Sequence, residues 1–180
     1  DTMDTKKVVD ECIRIIDAGG ELVRLTTPSI KEAEHLEIIK QELAKRGYNT
    51  PLVADVHFTP NAAEIAALKV EKVRINPGNY AEKKIKSGGE YSESEYRDAL
   101  EKLTSRFLPL LNLCKKHNRA IRIGTNHGSL SDRILSKYGD TPQGMVESAM
   151  EFIRICAAHN FHDVVVSMKA SNPIVMVQAY

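Results

Sequence analysis

Five short runs rich in Val and Ile recur along the chain, each separated from the next by a stretch with helical spacing. That alternation limits the folds open to it. The runs are 21–26 (ELVRLT), 51–56 (PLVADV), 72–76 (KVRIN), 120–125 (AIRIGT) and 163–169 (DVVVSMK). Each is largely apolar on both parities, as a parallel strand covered on both faces should be. Between them, Val9, Cys12, Ile13 and Ile16 form one helical stripe. Leu100, Leu103, Phe107, Leu111 and Cys114 form another, and Met145, Ala149, Phe152 and Cys156 a third.

Start and stop signals fall where this division needs them. Ser29 and Glu32 have capping-box spacing. Thr59-Pro60, Thr141-Pro142 and Asn172-Pro173 each set a capping side chain before a proline suited to the first helical position. Gly19-Gly20 and Gly47 can end the first two helices. The predicted order is α-β-α-β-α-β-α-β-α-β-α, with one polar loop at 80–95 that contains Ser87-Gly88-Gly89. Strict alternation leaves an open doubly wound sheet or a (β/α)8 barrel. No GxGxxG or GxxxxGK[ST] turn follows the first strand, which weakens the nucleotide-binding open sheet.

Composition removes other classes. The 180 residues (20.1 kDa) carry 25 Lys+Arg against 24 Asp+Glu, a net charge of +1, too balanced for a nucleic-acid module built on basicity. No apolar run approaches the roughly 18 residues that span a bilayer, and the opening Asp1-Thr2-Met3-Asp4 is not a signal peptide. Cys12, Cys114 and Cys156 are odd in number and far apart, so neither a disulfide framework nor a CxxC metal knuckle is on offer. All three lie on apolar helical stripes, where packing is the simpler role. The expected setting is a reducing, bacterial-type cytoplasm, with no nucleic-acid and no membrane partner.

Polar residues gather at the carboxyl ends of the strands. Arg24 sits in the first, and Asp55 and His57 close the second. Arg74 and Asn76 close the third, Arg122 and Asn126 the fourth, and Ser167 and Lys169 the fifth. Residues two apart on a strand point the same way, so these form same-face sets. In a barrel that face is the interior, at the end where such enzymes build their active sites. Each residue also has a plain reading. A strand Arg can pair with a carboxylate, Asp55 and His57 can be two metal ligands without a third, and Asn76-Pro77-Gly78-Asn79 can be a simple turn. Taken together, Arg24, Arg74, Arg122 and Lys169 oppose Asp55 alone. Buried cations without partners cost several kcal/mol each, so an anionic ligand is expected to meet them, and Arg and Lys suit a diphosphate.

The chain carries the motifs PLVADVHF (51–58), VRINPGN (73–79), IRIGTNHGSL (121–130), YGDTP (138–142) with MVESA (145–149), and SMKAS (167–171). In that order the motifs resemble the barrel domain of the IspG/GcpE family, the 4-hydroxy-3-methylbut-2-enyl diphosphate synthases. The stretches NHGSLSDR (126–133) and YSESEY (91–96) are similar to the large form found in plants, chlamydiae and the Bacteroides group. The resemblance implies a partial TIM (β/α)8 barrel, its five parallel strands equivalent to barrel strands 2–6, as one incomplete domain over residues 1–180. It implies the reductive opening of 2-C-methyl-D-erythritol 2,4-cyclodiphosphate in the non-mevalonate isoprenoid pathway. A [4Fe-4S] cluster would sit on a C-terminal domain absent from this chain, with flavodoxin or ferredoxin as electron donor. Carried over by position, Arg24, Arg74, Asn76, Arg122, Asn126 and Lys169 are expected to bind substrate, and Asp55 and His57 to be catalytic. The fragment alone is expected to be inactive, and its open sheet edges to favour a homo-oligomer. The competing reading is another barrel enzyme, such as a class I aldolase with Lys169 as its Schiff base.

Overall fold

Each of the five Val- and Ile-rich runs forms a strand, and all five join one sheet. The computed structural model describes residues 2–80 and 90–180. Within them the chain runs α1 (Thr5–Asp17), β1 (Val23–Thr26), α2 (Ile30–Lys45), β2 (Leu52–Asp55), α3 (Pro60–Ala67), β3 (Lys72–Ile75), α4 (Pro77–Tyr80), α5 (Glu93–His117), β4 (Ala120–Asn126), α6 (Asp132–Tyr138), α7 (Pro142–Ala158), β5 (Val164–Lys169) and α8 (Pro173–Ala179). The strands lie in sequence order, all parallel. The sheet is not closed, so the architecture is an α/β partial barrel.

The helix signals act largely as read. Ser29 and Glu32 form a capping box on α2, Thr141 accepts from the Gly144 N–H at the start of α7, and Asn172 accepts from Ile174 at the start of α8. Gly19 and Gly47 take positive φ just beyond α1 and α2. Thr59 makes no side-chain cap on α3, which relies on Pro60 for its first turn.

Three features differ from the sequence reading. Asn76-Pro77-Gly78-Asn79 opens a four-residue helix rather than a plain turn. The expected loop at 80–95 ends early, because Ser92 and Glu95 build a second capping box and α5 starts at Glu93. Its Ser87-Gly88-Gly89 lies outside the described residues. A further short helix, α6, fills the stretch between the fourth strand and Thr141-Pro142, capped by Ser131.

The core lies on one side of the sheet. Leu25, Ala54, Val73, Ile75, Ile121 and Ile123 point into it from the strands. Against them pack Val9 and Cys12 of α1, Leu36 and Ile39 of α2, Leu103, Phe107, Leu111 and Cys114 of α5, and Phe152 and Cys156 of α7. The alanines of α3, Ala62, Ala63, Ala66 and Ala67, are all buried and let α2 and α5 each pack closely on α3. Tyr80, Phe107 and Phe152 meet edge to face, with ring centroids 5.0–5.9 Å apart.

Burial on the other face is uneven, which corrects the expectation of strands covered on both sides: Val53, Asp55 and Gly124 are buried there. On that same face Arg24, Val165 and Lys169 are exposed. Double-sided apolar patterning marks a barrel interior as readily as a covered sheet, because both give strands without strict alternation.

Candidate active site

Register fixes what the bare face displays. Parallel pairing sets Thr26, Asp55, Arg74, Arg122 and Val165 side by side across the sheet. One step towards the strand amino ends, Arg24 lines up with Val53, Lys72 and Ala120. Towards the carboxyl ends, Gly124 pairs with Ser167 and Asn126 with Lys169. Since partners in register share a face, Arg24, Asp55, Arg74, Arg122, Asn126 and Lys169 all belong to one surface. Asp55 is the one carboxylate that the five described strands put there.

Asp55 is the centre of the arrangement. Its side chain is 10% exposed, and two guanidinium groups and an imidazole converge on it. Arg74 Nη1 donates to Oδ1 at 3.0 Å, His57 Nε2 lies 3.2 Å from the same oxygen, and Arg24 Nε lies 3.5 Å from Oδ2. The second arm of Arg74 donates to the Gly124 carbonyl at 3.0 Å. The guanidinium therefore bridges β2 and β4 across the face of its own strand. Gly124 makes this possible, since a β-carbon there would collide with Arg74 Nε.

Arg122 is different. Its Nε donates to Ser167 Oγ at 3.1 Å, and among the described residues no carboxylate lies within ion-pair distance of it. Lys169, opposite Asn126, is exposed and makes no ion pair among the described residues. The two asparagines shape the rim. Asn76, 6% exposed, donates to Ser129 Oγ at 2.9 Å and accepts from the Gly78 N–H at 3.2 Å. Asn126 accepts from the Gly128 N–H, and its carbonyl accepts from Ser129 Oγ at 3.2 Å. Gly78 belongs to this joint, because any β-carbon on it would strike the Ser129 carbonyl.

The desolvation argument made from sequence applies unevenly. Arg24 is 58% exposed and Lys169 is also exposed, so both stay hydrated on an open sheet. Arg74, 13% exposed, is the desolvated one, and Asp55 compensates it. The sequence reading also passed over Lys72, whose parity puts a fifth cation on this face, two residues below Arg74. It passed over Ser129 as well, whereas the even spacing of Arg122, Gly124 and Asn126 already sets position 124 on this face.

The thiols are remote from this surface. Cys12, Cys114 and Cys156 are free and buried in the helical layer. Burial pushes Cys12 up, Cys114 up to about 12 and Cys156 up to about 11. The three thiols lie on three different helices and belong to no ligand cluster among the described residues, so they do not fit an iron–sulfur site. Among the described residues no group of three or more His, Cys, Asp or Glu could hold a metal ion. No helix among them is long and apolar enough to cross a membrane.

Comparison with known proteins bears on the same geometry. The model of the GcpE TIM-barrel domain matches residues 1–180. The chain belongs to the GcpE TIM-barrel domain family. Curated relatives agree with this membership. The 4-hydroxy-3-methylbut-2-en-1-yl diphosphate synthase (flavodoxin) of Phocaeicola vulgatus is 60% identical over 98% of this chain, and that of Bacteroides thetaiotaomicron 58% identical over 98%. The chloroplastic ferredoxin-type enzyme of Oryza sativa subsp. japonica is 52% identical over the whole chain. The chain spans only 29% of the two bacterial relatives and 24% of the rice one. Among solved structures, a variant of methylaspartate ammonia lyase from Clostridium tetanomorphum superposes with a TM-score of 0.55 over 98% of this chain and 36% of its own. At 14% identity that likeness concerns the fold alone.

Proposed function

We propose that this part of the GcpE family grips the diphosphate of 2-C-methyl-D-erythritol 2,4-cyclodiphosphate within a 4-hydroxy-3-methylbut-2-enyl diphosphate synthase. The observation that carries the reading is the charge of the bare sheet face: Arg24, Lys72, Arg74, Arg122 and Lys169 against the single carboxylate of Asp55. Arg122 supplies planar donors without a competing ion pair, and Lys169 and Arg24 supply solvated charge at its flanks. Asn126, on the same face opposite Lys169, completes the phosphate end. Asn76 serves substrate binding from behind, by tying the β3 end to Ser129. His57, next to Asp55, is the group within reach of the sugar ring that can hold or give a proton.

The overall reaction is a reductive ring opening, and electrons would come from a [4Fe-4S] cluster. The thiols here do not fit that group, so its ligands would lie elsewhere in the protein. Flavodoxin and ferredoxin, printed in the relatives' names, are the donors this reading takes over. A cytoplasmic setting and a homo-oligomer belong to the same proposal. The aldolase alternative loses its motive, because Lys169 is exposed rather than desolvated.

The test is a turnover assay. The intact, cluster-loaded protein with a chemical reductant should convert the cyclic diphosphate to the linear allylic diphosphate. Absence of conversion, together with borohydride trapping of a carbonyl compound on Lys169, would replace this reading with the aldolase.

A further inference from the structure

The three groups that meet Asp55 are held to very different degrees. Arg74 is pinned at both ends, by Asp55 Oδ1 and the Gly124 carbonyl, and is largely desolvated. Arg24 is 58% exposed and keeps only a 3.5 Å ion-pair contact with Oδ2, too long for an ordinary charge-assisted hydrogen bond. Arg74 is therefore a strut and Arg24 a loose arm. We propose that Asp55 is a positioning residue that stands in for the anion: it holds the cationic groups in register before ligand arrives, and releases Arg24 to the ligand.

The inference rests on the diphosphate reading above and extends it. Arg24 reaches Asp55 from one step lower on the sheet. A phosphate above Asp55 competes for that arm, and the swap exchanges one exposed contact for another of higher charge. Arg74 stays where it is, because Asp55 and the Gly124 carbonyl hold its two arms. The negative charge of Asp55 also opposes any entering anion. A singly charged anion gains too little from one exposed arginine to overcome that repulsion, since exposed pairs are individually weak. A ligand with several charges, meeting Arg24, Arg122 and Lys169 together, does overcome it. Asp55 thus sets a threshold of charge for occupancy, acting through the arginines rather than on the reacting atoms.

This makes a prediction of unusual sign. Inorganic pyrophosphate titrated calorimetrically into the intact protein should bind, and Asp55→Asn should bind it roughly threefold or more tighter, with a steeper dependence on salt. Loss of a negative charge beside an anion raises affinity by itself, so the dependence of the gain on Arg24 is the readout that marks release of that arm. Adding Arg24→Gln to Asp55→Asn should remove the gain. Arg24→Gln by itself should weaken pyrophosphate binding while leaving the melting temperature within error, which keeps a test available if Asp55→Asn does not fold. Equal or weaker binding by folded Asp55→Asn, or unchanged binding by Arg24→Gln, would overturn the inference and leave the diphosphate reading standing. Failure of the unmodified protein to bind pyrophosphate or the cyclic diphosphate would remove both.

Discussion

The guanidinium of Arg74 occupies the space that a side chain on Gly124 would need, and it donates to the Gly124 carbonyl at 3.0 Å. The absence of a side chain on β4 thereby fixes an arginine of β3 against Asp55 of β2. Three strands of the site are tied by that contact, and the charged face is built around it.

Gly124→Ala tests the tie. The added methyl must displace the Arg74 guanidinium, because it would meet Nε, Nη2 and the central carbon of that group. Overpacking of this kind costs about 1–3 kcal/mol. Displacement of one charge-assisted contact from the site should weaken diphosphate binding about tenfold. The variant should keep its far-ultraviolet circular dichroism. Affinity equal to that of the unmodified protein would show that Arg74 does not depend on Gly124.

A second prediction concerns the helical layer. Arg133 pairs with Glu151 where the two side chains are 2% and 4% exposed, and Tyr96 donates its hydroxyl to the same carboxylate. Arg133 and Lys137 also lie over the Tyr96 ring, at 4.8 and 4.5 Å from its centroid. Burial, with Glu151 beside it, holds the Tyr96 hydroxyl far above its ordinary titration range. This cluster joins α5, α6 and α7 behind the rim. Glu151→Ala strips a buried carboxylate from both Arg133 and Tyr96 and should cost about 3–5 kcal/mol in urea unfolding. The double change Arg133→Met with Glu151→Leu should recover most of the loss. A cost below about 1 kcal/mol for the single change would contradict the account.

The thiols give a third, with a pH signature. Cys114 and Cys156 are ordinary near 9.0 when unfolded, and burial raises them to about 12 and about 11. Above pH 9 the unfolded chain releases these protons while the folded chain keeps them. Each thiol therefore subtracts stability as pH rises, by at most about 1.4 kcal/mol per pH unit, until its folded value is reached. The native thiols should resist iodoacetamide at pH 8 and react once urea unfolds the chain. On the proposed function, a folded triple Ser variant of the intact, cluster-loaded protein should keep its visible absorption. Loss of that absorption would make one of these cysteines a ligand.

Much of this was legible from residues alone. The five strands, their order of appearance and the parity of Arg74/Asn76 and Arg122/Asn126 follow from local patterning, because strand periodicity depends only on neighbours two apart. Less visible were the contacts made at a distance. No sequence spacing shows that Arg74 folds back onto Gly124, 50 residues away, or that Asn76 is spent on Ser129. The helix α6 escaped notice because its seven residues hold few apolar positions to reveal a period. The even exposure assumed for the four cations failed for a physical reason as well. Strand ends on an open sheet differ in solvation, and sequence carries no sign of which one a neighbouring carboxylate will cover.

The central claim is that the bare sheet face holds a diphosphate, and Arg122 is its cleanest probe, having no carboxylate partner among the described residues. Calorimetric titration of the cyclic diphosphate into the intact protein, with and without Arg122→Ala, tests it most directly. A charge-assisted bond to phosphate is worth about 1.5–3 kcal/mol, so the variant should bind about tenfold more weakly or worse, with its fold and melting behaviour unchanged. Equal affinity in the two proteins would contradict the claim.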